Sequence, residues 1–238
     1  MATGNLNWMV TCRGGGHAVM DFYASLMPTP VQIEWAVALI EPSTMGFSHR
    51  NAMMRLSVST QRNWAAPGPR AHWMNYEDML DSPDRDPNWP TLYVVRSLPA
   101  TVASRLKMQQ MFNAATPRVD DEWYAVWADH ARKVLNIPGG ILYDKWFADQ
   151  EYRISLTDSL NRLHLGMRYH EKALNAICNP RPEASSFEDA GMHNQMQKSG
   201  VLFRDEQFPM PALPPELIRL NDELLAHFNF DREAYRRP

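Results

Sequence analysis

The stretch Asn7–Leu26, NWMVTCRGGGHAVMDFYASL, decides how the rest of the chain is read. An apolar run, Trp8-Met9-Val10, leads through Thr11-Cys12-Arg13 into three glycines, Gly14, Gly15 and Gly16. His17 follows, and Ala18–Leu26 has the composition of a helix. The order is strand, glycine turn, helix start. Glycines let a backbone approach an anion closely, and the first N–H groups of a helix point outward with the positive end of its dipole behind them. Arg13 and His17 bracket the turn and supply side-chain donors for the same oxygens. The nucleotide-triphosphatase spacing G-x-x-x-x-G-K-[ST] is absent, and neither Lys-Ser nor Lys-Thr follows the glycines. An ordinary strand-to-helix turn satisfies the same pattern.

Bulk properties narrow the classes. With 238 residues, 45% hydrophobic and 21% charged, the chain has the composition of a soluble globular protein, read as a single α/β domain over residues 1–238. A net charge of −3 argues against a partner that is nucleic acid, so an anion site has to come from a local concentration of arginine. Cys12 and Cys178, the two cysteines, lie far apart and in no metal-ligand spacing, which points to a reducing, cytoplasmic compartment and no metal. No apolar run reaches the roughly 20 residues of a membrane span. No basic region followed by an apolar core opens the chain, so no signal peptide is expected.

Outward from the glycine turn, Val31–Ile40 reads as a buried strand or a short helix, Met53–Val58 is ambiguous, and Arg70–Trp73 suggests a short strand. Residues 82–90 form a turn-rich surface loop. Thr91–Val95 (TLYVV) is apolar at consecutive positions, as a central parallel strand covered on both faces would be. Helices are expected from Ala100 to about Phe112, Asp120–Leu135, Asp149–Leu165, Arg168–Ile177 and Pro214–Phe228, with a strand at Ile141–Tyr143 between the second and third. Asn179–Gly200 reads as a long loop able to close over a site. Strands alternating with helices predict an α/β fold of three layers, with a mostly parallel central sheet flanked by helices.

A second stretch, Val94-Val95-Arg96-Ser97-Leu98-Pro99-Ala100-Thr101-Val102-Ala103-Ser104, ends a buried strand in an arginine and places a serine eight residues later on the next helix. Both sit at the carboxyl edge of the sheet, where α/β proteins bind ligands. Together the two stretches resemble the sulfotransferase family, with its P-loop-like fold. There, an Arg and a Ser at this spacing hold the 3′-phosphate of 3′-phosphoadenosine 5′-phosphosulfate (PAPS), and the glycine turn holds the 5′-phosphosulfate. Arg13-Gly14-Gly15-Gly16-His17-Ala18 is similar to the family's Arg-Ser-Gly-x-His-Ala variant, with Gly14 in place of Ser. Ile141–Phe147, then Asp149, looks like the family's "YEDL…DP" segment. Leu224–Asp231 is similar to its "LL…LGY" tail. Lys198, Gly200 and Arg204 are loose counterparts of its cofactor-closing Arg-Lys-Gly-x-x-Gly loop. The resemblance implies PAPS as co-substrate and transfer to a hydroxyl or amine of a small-molecule or glycan acceptor.

Sulfuryl transfer, like phosphoryl transfer, relies on positioning and on cations around peripheral oxygens, so no metal is required in principle. Arg13 is placed to meet charge on the bridging oxygen and His17 to donate to the 5′-phosphate. The acceptor needs a general base. His72, 24 residues before Arg96, lies close to where cytosolic members of the family carry a catalytic His; Glu77 competes with it. Two alternatives stay open: an ATP-dependent small-molecule kinase, disfavoured by the missing Lys-Ser/Thr and the lack of an obvious strand-end Asp for Mg²⁺, and a non-catalytic nucleotide-binding or scaffold protein. No motif fixes an oligomeric state.

Overall fold

A computed structural model describes residues 4–11, 16–29, 31–38, 53–57, 71–78, 85–112, 119–172, 201–207 and 209–236. The first strand, β1 (Leu6–Val10), is buried at every position, including Asn7, so it lies inside the sheet and is covered on both faces. It pairs in parallel with β4 (Ala71–Glu77) on one side and β5 (Thr91–Val95) on the other. β2 (Val31–Ala38) continues the parallel sheet beyond β4, and β6 (Ile141–Leu142) extends it beyond β5. β3 (Met53–Ser57) closes the β2 edge and runs antiparallel. The order is β3-β2-β4-β1-β5-β6, five parallel strands and one antiparallel edge.

Chain direction reverses at the middle of that sheet. The connection out of β1, through α1 (Gly16–Leu26), leads toward β2; the one out of β5, through α2 (Leu98–Phe112) and α3 (Asp121–Asn136), leads the other way to β6. The carboxyl ends of β1 and β5 therefore diverge side by side, which is where open α/β sheets form a crevice.

Alternation along β1 assigns the layers. Trp8 stacks on Tyr23 of α1, ring centroids 6.3 Å apart. Met9 points to the opposite face, in register with Tyr93, and the Lys133 ammonium of α3 lies 5.5 Å from the Tyr93 ring. Helices thus cover both faces, α1 on one and α3 on the other. α4 (Tyr143–Ala148) joins α1 through Phe22, whose ring meets Trp146 edge-on at 5.6 Å, and α5 (Gln150–Asn161) packs on α4. α6 (Pro215–His227) packs on α3. Burial drives the phenols of Tyr23 and Tyr152 far above their ordinary range, so both remain neutral members of the aromatic layer.

Several boundaries differ from the sequence reading. β4 is one strand of seven residues rather than a short strand ending at Trp73, because Asn75 is carried inside the sheet. The segment at Ile141 keeps only two strand residues, and Tyr143 opens a helix that was not expected. α2 begins at Leu98, before Pro99, which sits in the first turn where its missing N–H does no harm. The fifth helix ends at Asn161, short of Leu165. Most of the expected helix at Arg168–Ile177 and the expected loop Asn179–Gly200 lie outside the described residues. No described helix is long and apolar enough to cross a membrane.

Gly140 sets the approach of β6 to α3. A Cβ there would lie 2.6 Å from Val134 Cγ1 and 3.0 Å from the Val134 carbonyl oxygen. Neither can yield, since Val is stiff at χ1 and the other atom is backbone. Gly140→Ala is expected to lower stability by about 1–3 kcal/mol in urea unfolding, as overpacking does.

Candidate anion site at the carboxyl edge of the sheet

Register brings three strand ends into line. Glu77 pairs with Val10, and Val10 with Val94. The Asp78 N–H donates to the Val10 carbonyl at 2.9 Å and prolongs the β4 contact by one residue, at a positive φ of 54°. Residues 11, 78 and 96 therefore leave the sheet at one edge.

Arg96 lies at the centre of that edge and is only 3% exposed. Its backbone carbonyl accepts from Trp127 Nε1 at 3.0 Å, which ties the end of β5 to α3. Its side chain reaches three ways. Nη1 donates to Ser104 Oγ at 3.1 Å, and Nη2 to the Val201 carbonyl at 2.6 Å. Nε lies 3.8 Å from Asp144 Oδ1. The guanidinium carbon is 5.1 Å from the centre of the Tyr143 ring, a cation–π distance.

Ser104 sits on α2 about two turns past its start, eight residues after Arg96, so a helix leaving the strand end carries its hydroxyl back over the guanidinium. The same Oγ accepts from Arg204 Nη1 at 2.8 Å. Two guanidiniums thus use both lone pairs of one hydroxyl, which keeps its own O–H as a donor. Arg204 comes from a 3-10 turn, Arg204–Gln207, a hundred residues further along the chain.

The start of α2 is itself occupied. The Ser97 N–H and Oγ–H donate to Asp144 Oδ2 and Oδ1 at 2.7 and 3.0 Å. The Leu98 N–H donates to Asn221 Oδ1 of α6 at 2.8 Å. The positive end of this helix is therefore satisfied by protein acceptors, and the charge available at the edge belongs to side chains.

Beside this cluster runs a buried ion pair. Arg105 Nη1 donates to Asp78 Oδ2 at 2.9 Å, and its guanidinium carbon lies 4.4 Å from the Trp123 ring centre. The expected lack of a strand-end aspartate thus fails twice: Asp78 follows β4 and Asp144 follows β6. Both are engaged, one with Arg105 and the other with Ser97.

The residues expected from the sequence do not all fall at one place. Arg96, Ser104 and Arg204 are brought together. Glu77 shares their edge, two strands away, or roughly 10 Å between backbones. His72 does not. It occupies the amino-terminal end of β4, about 17 Å along the strand from Glu77, where its N–H donates to Asn5 Oδ1 at 2.8 Å and its ring meets Trp89 edge-on. Period 2 also sets them on opposite faces of β4. Arg13, Gly14, Gly15, Lys198 and Gly200 lie outside the described residues. Gly16, His17 and Ala18 open α1, the first helix after β1, whose neighbour in the sheet is β5.

Asp144, Asn221 and the Val201 carbonyl were not singled out from the sequence. A signal existed for two of them. Asp144 follows a strand at the carboxyl edge. Asn221 interrupts the buried stripe of Leu217 and Leu224, the one polar member of that inward face. Among the described residues, no group of three His, Cys, Asp or Glu side chains could hold a metal ion.

The fold and this edge define an α/β protein in which a buried arginine and a partly buried one meet on a serine at the switch point of a parallel sheet. No family model matches the chain, and no curated protein matches it in sequence. Among solved structures, mouse sulfotransferase SULT7A1 complexed with PAP overlays with a TM-score of 0.45 at 13% identity, over 99% of this chain and 89% of that one. A likeness at that score and identity assigns neither an activity nor a ligand.

Asp144 holds the start of α2 and balances Arg96. Asp144→Ala leaves two Ser97 donors and a buried guanidinium without it, and a loss of about 3 kcal/mol or more is expected in urea unfolding. Asp144→Asn keeps one acceptor oxygen and is expected to lose less.

Proposed function

We propose that this chain is a PAPS-dependent sulfotransferase, carried by one domain over residues 1–238, acting on a hydroxyl or amine of a small-molecule or glycan acceptor. The single observation that carries the reading is the convergence of Arg96 and Arg204 on Ser104 at the carboxyl edge. Two guanidiniums around one neutral hydroxyl suit a phosphate monoester, whose oxygens accept several charge-assisted hydrogen bonds at once. The ligand would exchange the Val201 carbonyl, a neutral acceptor, for an anionic one and receive the Ser104 O–H as well. That is the 3′-phosphate role implied by the family resemblance.

The other end of the donor falls, on the sequence pattern, to Arg13, the backbone N–H groups of Gly14, Gly15 and Gly16, His17 and Ala18, with Lys198 and Gly200 closing over it. When bound, the donor supplies an activated sulfuryl group whose leaving group is a phosphate. The chain's own work is then to bind, to orient and to take a proton. Arg13 neutralises charge on the leaving oxygen. Glu77, the titratable candidate at this edge, takes the acceptor's proton as the new bond to sulfur forms. His72, at the far edge and on the other face of β4, is left out of the mechanism.

The kinase alternative draws on Asp78, which stands where a strand-end aspartate would hold Mg²⁺. Its carboxylate is engaged with a buried arginine, so a metal would have to displace an ion pair. The sulfotransferase reading needs no such exchange.

The test compares three ligands by thermal shift and calorimetry: 3′-phosphoadenosine 5′-phosphate (PAP), AMP, which is PAP without the 3′-phosphate, and ATP with Mg²⁺. At a hundred times its Kd, PAP should add about 2.7 kcal/mol of stability, and AMP far less. Arg96→Ala and Ser104→Ala should erase the preference for the 3′-phosphate. Equal stabilisation by PAP and AMP would remove the basis for naming the donor, and a response to ATP with Mg²⁺ alone would favour the kinase. In a sulfuryl-transfer assay that follows PAP release on an acceptor panel, Glu77→Gln should lower kcat by about a hundredfold or more while leaving PAP affinity unchanged. PAP binding with no turnover on any acceptor would point to a scaffold.

A further inference from the structure

Arg204 is the member of the site that comes from furthest away in sequence, and the short turn carrying it would not hold a guanidinium in place by itself. What holds it is the C-terminal segment. A 3-10 turn, Arg232–Tyr235, is capped by Asp231, which accepts the Glu233 N–H at 2.9 Å, and is anchored by the stacking of Tyr235 on the buried Phe230 at 5.7 Å. From it, Arg232 and Arg236 reach the same neighbours of Arg204. Their guanidinium carbons lie 5.1 and 4.2 Å from the ring centre of Phe203, which is itself buried. Arg232 Nη1 donates to both oxygens of Asp205 at 3.0 Å. Arg236 grips Glu206 with two bonds, Nη1 to Oε2 at 2.9 Å and Nη2 to Oε1 at 2.5 Å. Arg236 is in turn braced by Glu233, whose Oε2 accepts from Nε at 2.5 Å.

Residues 203, 205 and 206 are therefore all held by two arginines of the tail, and residue 204 between them points the other way, onto Ser104. A single half-exposed ion pair contributes little. Here two bidentate-type contacts and two cation–π contacts act on the three residues that flank Arg204, and their effect is to fix one backbone position. The hydrogen bonds of Arg236 hold the Glu206 and Glu233 carboxyls below their ordinary range, so the contacts are fully charged at neutral pH.

We propose that Arg232 and Arg236 are positioning residues for the anion site: the C-terminal turn is a clamp that sets where the Arg204 guanidinium stands, and the clamp acts on nucleotide affinity without touching the nucleotide. The inference rests on the sulfotransferase reading for the identity of the ligand.

The experiment measures the Kd of PAP by calorimetry on the full chain for the wild type, Arg232→Ala/Arg236→Ala, Arg232→Lys/Arg236→Lys, Arg204→Ala, and the triple variant combining Arg204→Ala with the alanine pair. The alanine pair should weaken PAP by about tenfold, the size expected from losing roughly 1.4 kcal/mol of such contacts. The lysine pair, which keeps charge and ring contact, should retain most of the affinity. In the Arg204→Ala background the alanine pair should cost nothing further, because the clamp then has nothing to position. If the alanine pair is poorly folded, Asp205→Ala/Glu206→Ala removes the carboxylate contacts from the other side, leaves those on Phe203, and is read in its place with a smaller loss expected. Wild-type affinity in the alanine pair, or the same tenfold loss with Arg204 already gone, overturns the clamp while leaving the sulfotransferase reading intact. Failure of the wild type to bind PAP overturns that reading, and the clamp with it.

Discussion

A guanidinium taken out of water at the end of β5 is the constraint from which the carboxyl edge is built. Arg96 brings a positive charge and five N–H donors into a site that is 3% exposed, and a buried cation is tolerated only where acceptors and counter-charge are in place. Each neighbour can be understood by that demand. The Val201 carbonyl and the Ser104 hydroxyl take two donors, Asp144 supplies the nearby negative charge, and the face of Tyr143 covers the guanidinium. Those groups come from three separate parts of the chain. The cation thereby fixes how β6, α2 and the 201–207 segment meet.

The fold was legible where one element carried its own signal. β5 could be read to the residue because five apolar positions between Pro90 and Arg96 admit little else. α3 was read within one residue, with Trp123, Trp127, His130 and Val134 on its buried side as spacing predicts. β4 was not, because Asn75 in mid-strand looks like a loop residue until both flanking strands are present to enclose it. α4 was missed because Leu142-Tyr143-Asp144-Lys145-Trp146-Phe147 is apolar enough to continue a strand. The turn into helix is set by the edge, where β6 runs out of partner after two residues.

The site follows the same division between local and distant. Arg96 and Ser104 are eight residues apart on one strand–helix unit, so their meeting is local geometry that a single sequence can display. Glu77 and His72 lie five residues apart on β4, an odd spacing along a strand about 17 Å long between them, so they cannot serve one edge of the sheet. That conclusion needs only the knowledge that Ala71–Glu77 is one strand, which Asn75 concealed. Asp144, Asn221 and Arg204 reach the site across 47 to 123 residues of chain, and nothing in their own neighbourhoods declares the partner.

The arrangement also explains why the site divides its cations between a rigid place and an adjustable one. Arg96 is held by the sheet, α3 and Asp144, all parts of the packed core, and moving it would uncover a buried charge. Arg204 stands on a four-residue turn whose flanks are gripped by partly exposed arginines. Contacts of that kind are individually weak, screened by salt and exchangeable with water. The hydroxyl between them accepts from both, so a shift of Arg204 changes the second donor on Ser104 while the first stays. An anion entering this edge would meet one fixed guanidinium and one whose position depends on the tail. Segment 201–207 also supplies the Val201 carbonyl that closes the Arg96 fork. The same few residues thus both block the fixed cation and present the movable one, and any force on the C-terminal turn acts on the two together.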